Sequence, residues 1–429
     1  MWTNIHDMLH CLPAGWAPPG APAAPAFYFL WASERSGYAQ LYLYSYSQGD
    51  SQAVCLLGGA PVGPGGAWVV DSIDDVDAER GLVYYSGNRG DPSQRHLYVS
   101  SIRSAALAAT SIQLTEQAGW HTAAVSAQQA VVVDCFNSLE SPHVMRVCRL
   151  AVEQSADGSL LGATLLQVAS ILDGSKASDK ARFDALTPLL PAPSFFSVPC
   201  ANDPSTSLVC AAYAPDSAVH GPGPYPTLVS VYGGPHVQMV CQKWLLRVDL
   251  RAQLFARRGY LVLKCDNRGS SRRGLAFEGA VRWDLGNLEL QDQQAAVATM
   301  AARGLADPGR VGVYGWSYGG YMSAMAVFRA RETFKCAVAG APVTSWDGYD
   351  THYTERYMGL PAKNPEGYVN SSVMHHVPAG AADRQLLLVH GLIDENVHFR
   401  HTARLVSALT EKRFRYDLVS AALLPTPLH

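Results

Sequence analysis

The sequence predicts a partial β-propeller of about three blades followed by an α/β layer domain. Three observations carry that expectation. The first ~150 residues repeat a strand–turn–strand unit; from about 193 apolar strands alternate with helical stretches; and one strand–helix junction carries a Gly-x-Ser-x-Gly. Length and composition are compatible. The chain has 429 residues, 48% apolar and only 16% charged, so most of it can build a core rather than stay disordered. A net charge of −3 gives no basic excess for phosphates, so nucleic-acid binding is not expected.

The repeats come first along the chain. FYFLWASERSGYAQLYLYS (27–45) is echoed by LVYYSGNRGDPSQRHLYVSSI (82–102) and more weakly by AVVVDCFNSLESPHVMRVCRL (130–150). Leu41-Tyr42 and Leu97-Tyr98 lie 56 residues apart, near the ~40–50 residue period of propeller blades. AWVVDSI (67–73) adds a strand between them, and the Pro/Ala-rich 13–26 reads as an exposed loop. A closed propeller needs about four to eight blades, so a partial or open one is predicted. Residues 153–192 show no alternation and read as an irregular connection. The two domains are therefore expected at 1–190, propeller plus connection, and 191–429.

In the second half, strands are predicted at 227–233, 260–266, 310–315, 336–341 and 385–391. The segment 243–258 reads as one helix with Leu245, Val248 and Phe255 on a common face. The segment 288–303 reads as another, carrying Leu290, Val297 and Met300 and stopping at Gly304. This is the βαβ signature of a mostly parallel sheet.

Gly315-Trp316-Ser317-Tyr318-Gly319 follows strand VGVYG and precedes a helix-compatible run, the setting of a nucleophile elbow in an α/β-hydrolase. The turn would expose the Ser317 hydroxyl, and the helix behind it would favour developing negative charge. In this fold the acid and then the histidine follow the serine. Asp394, just past strand 385–391, is the acid candidate, ahead of its neighbour Glu395. For the base only His398, His401 and His429 remain. The first two fall on a helical segment, 397–410, and the last ends the chain behind two prolines, so no catalytic histidine is identified. The Tyr318 amide and the Tyr232 hydroxyl are the candidate oxyanion donors. Val343, Trp346, Tyr349 and Tyr353 fall at helix-like spacings, which suits core packing; the same aromatics could also make an apolar slot for a proline ring. His375-His376 lacks a third partner, and no HExxH, paired CxxC or phosphate-binding Gly-Lys-Ser loop occurs, so neither metal nor cofactor is predicted.

Several stretches resemble the dipeptidyl peptidase IV family of serine peptidases, in the prolyl oligopeptidase clan, and most of all its cytosolic dipeptidyl peptidase 8 and 9 branch. They are YGGPHVQ (232–238), DNRGSSRRGLAFEGA (266–280), GWSYGGYMS (315–323), AGAPVTSWDGYDTHYTERYMG (339–359) and HGLIDENVHF (390–399), with TNIHDMLHCLP and FLWASERSGYAQLYLY near the start. The resemblance implies an exopeptidase releasing N-terminal dipeptides with Pro or Ala second. It makes Ser317 the nucleophile, Asp394 the triad acid, and Tyr232 with the Tyr318 amide the oxyanion site. Val343, Trp346, Tyr349, Tyr353 and Val397 would line the proline pocket, and Asn396 would touch the substrate carbonyl. It also implies a homodimer, and paired amine-binding glutamates ahead of Trp2. At the other end it stops at RYDL (415–418), so the continuation of the last strand, the histidine loop and the final helix are expected to be missing.

Nine cysteines with no CxxC, no leader-like start and no apolar run near ~20 residues predict a cytoplasmic protein with reduced thiols and no membrane span. Two other functions stay open at this stage. One is a non-catalytic short form acting as a scaffold; the other is a different hydrolase, such as an acylaminoacyl peptidase or esterase.

Overall fold

The structure is a computed structural model describing residues 9–18, 27–47, 50–55, 68–103, 111–172, 177–200, 202–380 and 385–421. The chain divides into two compact units. The first comprises Met1–Leu190 with the short stretches Cys241–Arg247 and Arg272–Ala276, and the second holds the rest.

The first unit contains three four-stranded antiparallel sheets in chain order, the blades of the partial propeller. They are β1–β4 (Leu9–Cys11, Phe27–Ser33, Gln40–Ser47, Asp50–Cys55), β5–β8 (Val70–Asp77, Leu82–Gly87, His96–Ser101, Ser111–Gln113) and β9–β12 (Trp120–Ser126, Val131–Asn137, Val144–Gln154, Leu160–Leu172). The sequence echoes are the second and third strands of each blade. β6 shows why those strands stand out. Val83 and Tyr85 pack with Leu30 and Leu41 of the first blade, whereas Leu82 and Tyr84 pack with Val132 and Leu150 of the third. Successive residues of a strand point to opposite faces, so a blade covered on both sides needs an unbroken apolar run.

The expected irregular connection over 153–192 is corrected. β11 runs to Gln154 and β12 spans Leu160–Leu172, followed by a helix Ala177–Leu186. β12 is the outer strand of its blade and leaves Leu161, Leu166, Val168 and Ile171 exposed. Three register shifts against β11 break the alternation that would have marked it. Of the Pro/Ala-rich loop, Pro13–Gly15 is exposed while Trp16 turns inward, donating from Nε1 to the Ala78 carbonyl at 2.9 Å; residues 19–26 lie outside the described residues.

The second unit is built on an eight-stranded sheet ordered β13-β14-β16-β15-β17-β18-β19-β20. Its strands are Ser194–Cys200, Asp203–Tyr213, Tyr225–Ser230, Leu261–Asp266, Ala306–Trp316, Cys336–Gly340, Gln385–Gly391 and Tyr416–Ala421, numbered β13 to β20 in chain order. The β13–β14 hairpin was not anticipated; it attaches antiparallel to β16, and Pro199 sits in the outer strand where no further partner is needed. From β16 to β20 the pairing is parallel.

Two more expectations are revised. The predicted helix 243–258 is two helices, Trp244–Arg247 and Leu250–Arg257, because Asp249 caps the second by accepting from Ala252 N–H at 3.0 Å. The buried positions are Leu246, Arg247, Ala252, Gln253 and Ala256, while Leu245 is two-thirds exposed. The last strand does not stop at Leu418. β20 keeps register with β19 through Ala421, opposite Gly391, because main-chain pairing tolerates any side chain at an edge. Among the described residues, no helix is long and apolar enough to cross a membrane, and none of the eight cysteines whose side chains are described is in a disulfide.

One ion pair inside the first unit joins distant parts of the sequence. Arg272 donates to both Asp71 oxygens at 2.8 and 2.9 Å and to the carbonyls of Pro92 and Gln94 at 3.0 and 2.6 Å. Removing one partner of a largely buried pair strands the other, at about 3–5 kcal/mol. Arg272→Ala should therefore lose hydrogen-exchange protection in β5–β8, and Arg272→Lys should rescue little, because an ammonium cannot reproduce the planar two-pronged contact.

Candidate active site

Four neighbouring parallel strands, β15, β17, β18 and β19, end on the same edge of the sheet, and the segments leaving them carry the candidate nucleophile, acid, oxyanion and pocket residues. Tyr232 follows β15 and Ser317 follows β17. Val343, Trp346, Tyr349 and Tyr353 follow β18, and Asp394, Asn396 and Val397 follow β19. Strands spaced about 4.8 Å apart confine these four exits to about 14 Å, the crevice where open α/β sheets take ligands.

Ser317 occupies the left-handed region, φ 58° and ψ −116°, as the residue before the helix Tyr318–Arg329. Non-glycine residues adopt such angles at a cost of about 1–3 kcal/mol, and here the surroundings impose it. A Cβ on Gly315 or Gly319 would stand 2.3 Å from the Val231 carbonyl, and one on Gly320 would stand 2.1 Å from the Gly340 carbonyl. Ser317 N–H donates to Gly340 O at 2.9 Å, fixing the turn to β18. The side chain is little exposed, and among the described residues no side chain hydrogen-bonds its hydroxyl. The Tyr318 N–H belongs to the first helical turn, whose donors lack intrahelical partners.

The aromatic residues form a connected wall. Tyr232 contacts Tyr318 at 6.0 Å between ring centroids, Tyr318 contacts Trp346 at 5.5 Å, and Trp346 stacks on Tyr353 at 6.0 Å. Tyr349 meets both Trp346 and Tyr353 edge-on and donates to Asn396 Oδ1 at 2.8 Å, tying the β18 and β19 loops together. The helix-like spacing resolves into two short pieces, the 3₁₀ turn Trp346–Gly348 and the helix Thr351–Met358, with Val343 ahead of both. Burial pushes the Tyr232 hydroxyl up to about 12, so it stays a proton donor at neutral pH.

Asp394 is buried. Its Oδ1 accepts from Asn396 and Val397 N–H at 3.0 and 2.9 Å, and its Oδ2 faces His390 Nε2 at 3.6 Å. His390 donates from Nε2 to the Val397 carbonyl and accepts at Nδ1 from Thr402, both at 2.7 Å; burial lowers its pKa and keeps it neutral. His401 lies in the first turn of the helix Arg400–Glu411. It accepts at Nδ1 from Thr344 N–H and donates from Nε2 to Gly348 O, both at 3.2 Å, and burial lowers its pKa to about 4. Both nitrogens of each ring are thus committed to the fold. His398 is exposed ahead of that helix, and His429 lies outside the described residues.

Two contributors were not found from the sequence. His390 clamps the Asp394 loop, and Glu289 sits behind Tyr318. No local pattern marks either one, since their partners lie on other elements.

The comparisons with known proteins fit this geometry. Residues 1–143 match the N-terminal region of dipeptidyl peptidase IV, and residues 246–421 match the prolyl oligopeptidase family. The chain belongs to the dipeptidyl peptidase IV family. Dipeptidyl peptidase 8 of Mus musculus is 34% identical over 438 residues, which is 97% of this chain and 46% of that protein. The probable dipeptidyl peptidase 4 of Aspergillus flavus is 30% identical over 395 residues, 91% of this chain and 47% of that protein. The crystal structure of Porphyromonas gingivalis dipeptidyl peptidase 4 superimposes with a TM-score of 0.76 at 27% identity, covering 94% of this chain and 52% of that one. The chain spans about half the length of these dipeptidyl peptidase relatives.

Two outcomes follow. Gly319→Ala should destabilise the second unit by at least about 3 kcal/mol in urea unfolding, since the contact it meets is backbone that cannot step aside. For His401, the native pKa of about 4 lies below the unfolded value of about 6.5, so the unfolded chain binds more protons between them. Stability should then fall as pH drops from about 6.5 to 4, by up to about 1.4 kcal/mol per unit, and His401→Asn should flatten that slope in thermal melts.

Proposed function

We propose that the second unit is the reaction domain of a serine peptidase of the dipeptidyl peptidase type, acting on peptides with Pro or Ala as the second residue. The observation that carries this reading is Ser317, held at φ 58° on the turn between β17 and its helix. In the reaction, Ser317 Oγ would add to the carbonyl carbon of the second residue. The Tyr232 hydroxyl and the Tyr318 N–H would stabilise the oxyanion. Breaking of the C–N bond would release the shortened peptide as an amine, its nitrogen taking the proton lost by the serine. Water would then cleave the ester, freeing the dipeptide acid and restoring the hydroxyl. Val343, Trp346, Tyr349, Tyr353 and Val397 would hold the proline ring, and Asn396 would receive a substrate carbonyl. Cysteines outside disulfides fit a cytoplasmic setting, and the family resemblance supports a homodimer.

The step that takes the serine proton needs a base. Of the histidines on β19 and the described segment after it, His390 and His401 are committed to structural bonds and His398 is exposed ahead of its helix. Hydrolysis by the 429-residue chain is therefore expected to be slow, on the order of 10⁶ below a complete triad.

The test separates binding from turnover. A dipeptide boronic acid ending in boroproline should form a tetrahedral adduct on Ser317, detected by mass spectrometry and abolished in Ser317→Ala, while Gly-Pro-4-nitroanilide is barely cleaved. No adduct at Ser317 sinks the peptidase reading. Fast Ser317-dependent cleavage keeps it and shows that a base is present. An adduct without turnover makes this chain a binder of such peptides.

A further inference from the structure

Behind the candidate oxyanion donors lies a helix that buries polar side chains in its first two turns, ahead of the apolar Ala296, Val297 and Met300. Glu289, Asp292 and Gln293 of Leu288–Ala302 all face inward. Glu289 is wholly buried; its Oε1 accepts from the Tyr318 hydroxyl at 2.6 Å and from Gly286 N–H at 2.9 Å. Its Oε2 has no hydrogen-bond partner among the described residues. Four residues on, Gln293 donates to Asn267 Oδ1 at 2.8 Å, and Asn267 donates to the carbonyl of Gly233, the residue after Tyr232, at 2.9 Å. Asp292, between them, is neutralised by Arg268 through contacts of 2.7 and 3.0 Å.

A buried carboxyl with one oxygen unpaired is costly, and packing alone would be better served by Leu. We propose that Glu289 is a positioning residue of the oxyanion site: by gripping the far end of the Tyr318 side chain it fixes the residue whose main-chain N–H would receive the oxyanion, while Gln293 steadies the Tyr232 loop through Asn267. This rests on the serine peptidase reading above. The grip is lengthwise. The ring is held at its hydroxyl by Glu289 and on its sides by Tyr232, Tyr321 and Trp346, leaving the backbone at its other end little freedom.

The state of the carboxyl matters as well. Burial pushes Glu289 up to about 7. The groups facing it are Asp284 from the preceding loop, Tyr318 and Tyr321 from the helix Tyr318–Arg329, and Tyr353 from Thr351–Met358. Only Asp284 among them is anionic. Below about pH 7 Glu289 is a neutral acceptor; above it, a negative charge sits behind the place where an oxyanion would form and opposes it.

The test compares two ligands on the full chain, an alanyl-boroproline that forms a tetrahedral serine adduct and the dipeptide Ala-Pro, which has no such centre. Glu289→Leu should bind the boronic acid about tenfold or more weakly and Ala-Pro within about twofold of wild type. Glu289→Gln, which keeps an acceptor oxygen, should restore the boronic acid affinity and lose the wild-type weakening between pH 6 and 8. Glu289→Leu combined with Tyr318→Phe should be no weaker than Tyr318→Phe alone, because both remove the same bond. Glu289→Leu matching wild type for the boronic acid, or weakening both ligands equally, overturns the proposal. A wild-type chain that forms no Ser317 adduct overturns the peptidase reading itself, and this inference with it.

Discussion

The close approach of main chain at the turn around Ser317 is the constraint on which the site depends. The Val231 carbonyl at the end of β15 and the Gly340 carbonyl at the end of β18 occupy the volume that side chains at 315, 319 and 320 would need. Three glycines let the helix start against those carbonyls, and a helix starting there forces Ser317 to φ 58°. The same contacts register the neighbouring loops. Val231 N–H donates to Tyr314 O at 3.0 Å and Ala341 N–H to Val389 O at 2.7 Å, so the segments bearing Tyr232, Trp346 and Asp394 leave the sheet in fixed directions relative to one serine.

The second unit also buries ionisable groups close to that turn. Behind the turn the helix Leu288–Ala302 presents Glu289, Asp292 and Gln293 inward; Asp292 is paired with Arg268, and elsewhere in the unit Asp249 is paired with Lys264 at 2.9 Å. Such pairs add little net stability compared with apolar packing, yet each is expensive to break. They therefore favour one arrangement of the loops over nearby alternatives, which a purely greasy interior would tolerate.

The legible parts of the sequence are those whose physics is local. The second and third strands of each blade announced themselves through dense aromatic and β-branched runs, most fully in β6 and β7, which are buried on both faces. Outer strands such as β12 did not, since exposure and bulges erase the alternation. The Ser317 turn was legible because its glycines, strand and helix are contiguous, and Asp394 because a strand end is a strong positional cue. Asp249 was missed as a cap inside an apparently continuous helix, although an aspartate three residues before Ala252 carries that signal. Glu289 and His390 were invisible for a different reason. A buried Glu in a first helical turn and a His in an apolar strand acquire their roles from Tyr318, Val397 and Thr402, which only the fold brings near.

The acid side of the site illustrates what that tertiary contribution achieves. Asp394 accepts two main-chain N–H groups at Oδ1, and those donors belong to Asn396 and Val397, the residues that would also meet substrate. His390, neutral and bonded to Val397 O, closes the loop from the strand side; that carbonyl, which can only accept, fixes its tautomer, and Thr402 on the following helix donates to the other nitrogen. The carboxylate, its loop and the pocket wall are consequently one hydrogen-bonded object, joined to the aromatic cluster by Tyr349 and Asn396. None of these bonds draws on a histidine that could serve as base. The orientation of the acid is thus built into β19 and its loop, independently of whatever group accepts the serine proton.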